Sequence, residues 1–238
     1  ELGSTACIDP FLDEEAMRSC FEKRKEPLFT YPGALGEFFE DVLQRDSLLS
    51  FLAPEKAGKT FFLIDLAYRA QLQRKRVIFF EAGDMSQDQV MLRLLARGSK
   101  KPFRSPGNRW PYTVNYPQEI TPPVAREDIA EVQTKPLTFE AALDFPTAKQ
   151  KAKHLMENVV KSKESFLKLS CHPNDTLSVA MIAEKIEELS AMGWVPDVAC
   201  VDYADIMAMP YTRMDVRDQI NKTWKGLKRI SQKYHCLV

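Results

Sequence analysis

Apolar residues along this chain follow two rhythms, short strongly apolar runs and longer stretches of helical spacing. The short runs lie at 48–52, 77–80, 166–169, 197–202 and 236–238, and read as strands. Those at 77–80 and 197–202 are apolar almost throughout, as expected of strands covered on both faces of a sheet. Between them the spacing changes to that of helices. One charged helix is predicted over 13–25, with Phe11, Met17 and Phe21 as its apolar positions. Another runs over 35–43, where Leu35, Phe38, Phe39 and Leu43 recur at i, i+3, i+4 and i+8. Pro27 and Pro32-Gly33 separate the two. Further helices are predicted from Lys59 to about residue 73, over the stretch carrying Val90, Met91, Leu94 and Leu95 with Ser86 as N-cap, over 147–161, over 182–192 with Gly193 as C-terminal cap, and over 217–233. Strands alternating with helices predict an α/β fold, a parallel sheet flanked by helices on both faces.

Residues 98–147 break this rhythm. They hold eight of the fifteen prolines and little apolar periodicity. We read a proline-rich insertion of irregular or extended segments, spanning about 98–165. The remaining organisation is an N-terminal helical linker segment, 1–45, and a core over 46–238. The start at Glu1 and the finish inside an apolar run predict a fragment, truncated at its C-terminal end.

Composition narrows the picture only a little. Of 238 residues, 33 are Lys or Arg and 33 are Asp or Glu, so net charge argues neither for nor against nucleic acid. Five cysteines form no C-x-x-C pair, and with three histidines no zinc-ligand spacing arises. Cys200 and Cys236 sit in apolar runs and read as core fillers. This usage fits a reducing cytoplasm, and no run has membrane-spanning length.

The chemistry begins at Ala53-Pro54-Glu55-Lys56-Ala57-Gly58-Lys59-Thr60, between a predicted strand and a predicted helix that opens with Phe61. Strand, glycine turn, Lys-Thr and helix form the context of a phosphate-binding loop, G-x-x-x-x-G-K-S/T. Loop amides and a helix N-terminus converge on one spot and favour an anion there. Lys59 would reach the outer phosphates of ATP, and the Thr60 hydroxyl would hold Mg²⁺. The first glycine of the pattern is replaced by Ala53, which restricts positive φ. Asp202 closes a buried strand, where a carboxylate faces the ligand crevice of a parallel sheet and can hold the same Mg²⁺. A hydrolysing site also needs a group to polarise water. Glu81, directly after its strand, and Asp84, three residues on, are the candidates. Glu81 has the longer reach, and Asp84 suits the cap of the next helix.

Taken together, these motifs resemble the RecA-type ATPase core of the DnaB-like replicative helicases. That family's A-R-P-S-M-G-K-T loop accommodates Ala53. Asp84-Met85-Ser86-Gln87-Asp88-Gln89 is similar to its E-M-S-x-E-Q, Asn174 to Val179 to its D-x-x-x-x-T-I/V, and Val201-Asp202-Tyr203-Ala204-Asp205-Ile206-Met207 to its I-D-Y-L-Q-L-M. The likeness covers roughly 48–97 and 166–238, in order. Aligned from the right, the family's catalytic Glu falls on Asp84; counted from the strand it falls on Glu81, and both stay open. The insertion is longer and richer in proline than the family's connection, and the family's sensor Gln, DNA-binding loops and arginine finger would follow Val238. The resemblance implies an ATP- and Mg²⁺-dependent motor on single-stranded DNA, assembled as a homo-oligomeric ring or filament, in a bacterial or phage-infected cell. The rival is a nucleotide-gated regulatory or loader ATPase that does not move on DNA.

Two basic stretches bear on DNA. Lys100, Lys101, Arg104 and Arg109 interleave with Phe103, Trp110, Tyr112 and Tyr116, as in single-strand binding grooves, though a packed surface insertion gives the same mixture. Lys222, Lys225, Lys228 and Arg229 read as a solvated helix face beside the core contacts Trp224 and Leu227.

Overall fold

The computed structural model describes residues 9–22, 27–103, 113–121, 131–138, 142–208 and 215–238. Within them, α1 (Glu14–Glu22), α2 (Ala34–Phe39) and α3 (Lys59–Leu72) precede the first strand, β1 (Val77–Glu81). Then come α4 (Gln87–Ser99), a hairpin of β2 (Thr113–Thr121) and β3 (Glu131–Thr138), and α5 (Phe145–His154), which a π-helical turn extends through Leu155–Val160. The chain closes with β4 (Leu167–Cys171), α6 (Val179–Ala191), β5 (Val198–Asp202), a 3₁₀ turn at Ala204–Ile206 and α7 (Val216–Lys233).

The central sheet has the order β4-β1-β5, all parallel. Successive side chains of a strand point to opposite faces. Val77 and Phe79 accordingly enter one apolar layer, with Val198 and Cys200 of β5 and Ile64, Ala67 and Ala70 of α3. Ile78 and Phe80 enter the other, with Ala199 of β5, Ile182 and Ile186 of α6, and Leu227 and Ile230 of α7. β1 is buried at all five positions because both of its faces are covered.

Two expected strands are shorter than the pattern predicts. Around the C-terminus, Val198 and Leu237 form one parallel bridge. Val238 donates to the Ser47 carbonyl at 3.0 Å and accepts from the Leu49 amide at 2.8 Å, the slanted pattern of a parallel pair. Backbone pairing stops there, so Ser50–Leu52 run on without a strand neighbour on that side. The helix predicted over 35–43 ends at Phe39, and Leu43 reaches the core from the following turn.

An aromatic cluster fastens the 27–46 segment to this core. Tyr31 lies 5.6 Å from Phe39, Phe39 lies 6.4 Å from Phe51, and Phe51 lies 4.6 Å from Phe62, centre to centre. Asp65 also binds Arg69 at 2.9 Å and Arg97 at 2.5 Å, tying α3 to α4. These pairs are about a quarter to a third exposed, where such bridges contribute about 1 kcal/mol or less. Burying one aromatic ring contributes roughly 1.5–3 kcal/mol, so the rings dominate.

In the insertion, β2 and β3 pair antiparallel from Thr113 opposite Thr138 to Thr121 opposite Glu131. The Leu143 amide bonds the Pro102 carbonyl at 2.7 Å, so chain leaves and re-enters the core at one point.

The turn after β1 carries the tightest backbone approach. Gly83 has φ +110°, and a Cβ there would sit 2.2 Å from the Asn174 amide nitrogen. Gly83→Ala must both strain φ and push two loops apart. We expect it to cost about 2–4 kcal/mol, the sum of backbone strain and overpacking. Thermal unfolding should show a Tm lower by several degrees, and an unchanged Tm would refute this account of the turn.

Candidate active site

Parallel register sets the site. Glu81 is level with Cys171 of β4 and with Asp202 of β5, so three strand ends share one edge. Asp202 keeps the parity of Val198 and Cys200, so its carboxyl emerges in the layer of α3. α3 begins at Lys59 with Gly58 as N-cap, in a left-handed conformation at φ +90° that only glycine adopts freely. Ala53 is not among the residues with positive φ; Lys56 takes that conformation instead, at φ +61°. Replacement of the first glycine is therefore without backbone cost here.

Loop and strand edge enclose a cleft of about 670 Å³. Glu55, Lys56, Gly58, Lys59, Thr60 and Phe61 line one side, and Asp202 and Tyr203 the other. Ala53 also lines it, while Pro54 and Ala57 complete the loop through a 3.3 Å backbone bond. The Lys59 ammonium donates to the carbonyls of Ala53 at 2.7 Å and Pro54 at 3.1 Å, closing the loop on itself.

Asp202 is only 2% exposed. Burial pushes its carboxyl above the ordinary value, the nearby Asp84 adds to the rise, and a hydrogen bond from Thr60 and the charges of Arg93 and Lys59 oppose it. Its Oδ2 is buried without a hydrogen-bond partner. An orphaned carboxylate oxygen beside a hydroxyl is a hard oxygen donor set, which fits Mg²⁺. Among the described residues no group of three or more His, Cys, Asp or Glu is placed to hold a metal. A magnesium ion held through a hydroxyl, one carboxylate, phosphate and water requires no such group.

The two candidate carboxylates differ sharply. Glu81 is fully buried, and its Oε1 accepts from the amides of Asp84 at 2.9 Å, Met85 at 3.0 Å and Gly83 at 3.3 Å. Burial pushes its carboxyl up, opposed by these amides and reinforced by Asp202. Asp84 lines the cleft. The cap of α4 is Ser86, in a reciprocal capping box with Gln89, so Asp84 is released from that duty.

Solved structures then supply a fold. The chain superposes on an isolated ATPase domain with a TM-score of 0.63 and 14% identity, over 97% of this chain and 70% of that one. It superposes on a DnaB-like replicative helicase, solved with its interactions with primase, with a TM-score of 0.63 and 15% identity, over 97% of this chain and 48% of that one. The fold is that of DnaB-like helicase ATPase domains. No protein-family model and no curated protein matches the sequence. This chain spans about half of the second structure's length.

Within this helicase-type ATPase fold, the pattern of residues missed one contributor. Arg93 lines the cleft from α4, with its guanidinium carbon 4.9 Å from the Phe61 ring centre. It lies three residues after buried Val90, and Arg97 lies seven after it, so both arginines border the core stripe and not the solvated face. A cation at that spacing was the available signal. Of the basic stretches, Arg104, Arg109, Trp110, Tyr112 and the Tyr116 side chain lie outside the described residues. Leu227 is core and Trp224 packs against it, while Lys228 donates to the Asp46 carbonyl at 2.6 Å. No helix among the described residues is long and apolar enough to cross a membrane.

Asp202→Asn removes a buried charge that lacks a full set of partners. Without nucleotide or magnesium, we expect the variant to melt higher, by about 2–4 °C for each kcal/mol relieved. A carboxylate whose folded pKa is raised destabilises the fold as it ionises. Wild-type stability therefore falls as pH climbs from 3.8 through the raised value, and the gap to the variant widens over that window. Melting curves at several pH values check this; a gap that narrows with rising pH refutes it.

Proposed function

We propose that the chain is an ATP-binding and ATP-hydrolysing motor acting on DNA, as its likeness to the DnaB-like helicases implies. The observation that carries this reading is the convergence of Lys59, Thr60 and Asp202 on one cleft at the carboxyl edge of a parallel sheet. Loop amides 53–60 and the α3 N-terminus would bind the phosphates, with Lys59 exchanging its two carbonyl partners for phosphate oxygens. Thr60 and Asp202 would hold Mg²⁺, which when bound neutralises charge on the phosphates. Asp84 faces the cleft and would orient the attacking water and receive its proton. Glu81 positions Asp84 by holding the three amides of its turn. Single-stranded DNA as the track, and a ring or filament in which a neighbour lends an arginine, complete the proposal.

ATPase assays with and without single-stranded DNA, paired with nucleotide titrations, test it. Lys59→Ala should lose ATP affinity by tenfold or more, since charge-assisted bonds contribute about 1.5–3 kcal/mol. Asp84→Asn should keep ATP binding and lose about 10²–10⁴-fold in kcat. Unaltered affinity in Lys59→Ala would overturn the phosphate site. Hydrolysis indifferent to DNA would leave a nucleotide-gated regulatory or loader ATPase instead.

A further inference from the structure

The described arginines packed on the core mostly have their donors committed. Arg69 and Arg97 bind Asp65, Arg45 binds Asp197, Arg74 donates to the Val160 carbonyl and Arg76 to that of Gly193. Arg93 differs: partly buried, it makes no hydrogen bond or salt bridge among the described residues, only its contact over the Phe61 ring. A guanidinium stacked on a ring uses its face and leaves its edge donors free. Phe61 directly follows Thr60, so the ring braces the cation beside the phosphate loop.

Arg93 is also close enough to Asp202 to be felt by its carboxyl, yet Asp202 Oδ2 remains without a partner. The two opposite charges share the cleft without pairing. That separation leaves room between them, and the cation there carries a planar fork that matches phosphate oxygens.

We propose that Arg93 is a second phosphate-gripping cation of this site, supplied by the same chain, and that its guanidinium binds the terminal phosphate of ATP. This rests on the reading of the cleft as an ATP site. Lys59 enters from the loop and Arg93 from α4, so the terminal phosphate is held from two elements. ADP lacks that phosphate, and Arg93 therefore sets the preference for triphosphate over diphosphate.

The experiment is calorimetric titration of wild type, Arg93→Ala and Arg93→Lys with magnesium and either a non-hydrolysable ATP analogue or ADP. Arg93→Ala should weaken the ATP analogue about tenfold or more and change ADP affinity by less than about twofold. Arg93→Lys should keep part of the preference, having the charge without the fork. Equal weakening of both nucleotides, or a lower Tm with an unchanged ATP-to-ADP ratio, would reduce Arg93 to a clamp on Phe61 and overturn the proposal while sparing the ATP site. If wild type binds neither nucleotide, the ATP reading itself fails and this proposal falls with it.

Discussion

Everything at the cleft depends on the in-register parallel pairing of β1 with β4 and β5. Parallel strands place their carboxyl ends on one edge, and equal register places those ends at one height. The alternation of side chains then decides which layer each end residue enters. Had β5 been offset by one residue, Asp202 would point toward α6 and α7 and could not meet Thr60. The apolar runs that bury β1 on both faces are what forbid such a slip, because every side chain of the strand would change layers.

On this scaffold the cleft concentrates charge that the fold would sooner avoid. Asp202 and Glu81 are buried carboxyls whose ionisation burial opposes, and each has an oxygen without a partner. Lys59 meanwhile rests on the carbonyls of its own loop. A site that holds carboxylates out of water and keeps its ammonium on a provisional partner is strained toward a ligand carrying both signs of charge. Stability given up here is recovered in the aromatic cluster and the two apolar layers, which lie away from the cleft.

Much of the fold was legible because periodicity reports burial directly. The run at 77–80 could only be a covered strand, and Ser86 with Gln89 announced its helix. The phosphate loop was legible for the same reason, since its residues are consecutive. The shortness of the pairing around 48–52 and 236–238 was not, because apolar character marks a buried segment and does not count its ladder bonds. Nor was the division of labour between Glu81 and Asp84. Reach favoured Glu81, but reach is a property of a free side chain, and three backbone amides engage this one. Arg93 was hidden because its partner in the cleft, Phe61, lies 32 residues away in sequence.

The contact at Gly83 has a mechanical meaning. The turn after β1 lies against Pro173 and Asn174, the turn after β4, with no room for even one carbon between them. The His172 amide also bonds the Glu81 carbonyl at 2.9 Å. Two loops so wedged move as one body. Whatever displaces Asp84 must carry the start of α6 with it, so the neighbouring crossover becomes a lever reaching from the crevice to the outer helical layer.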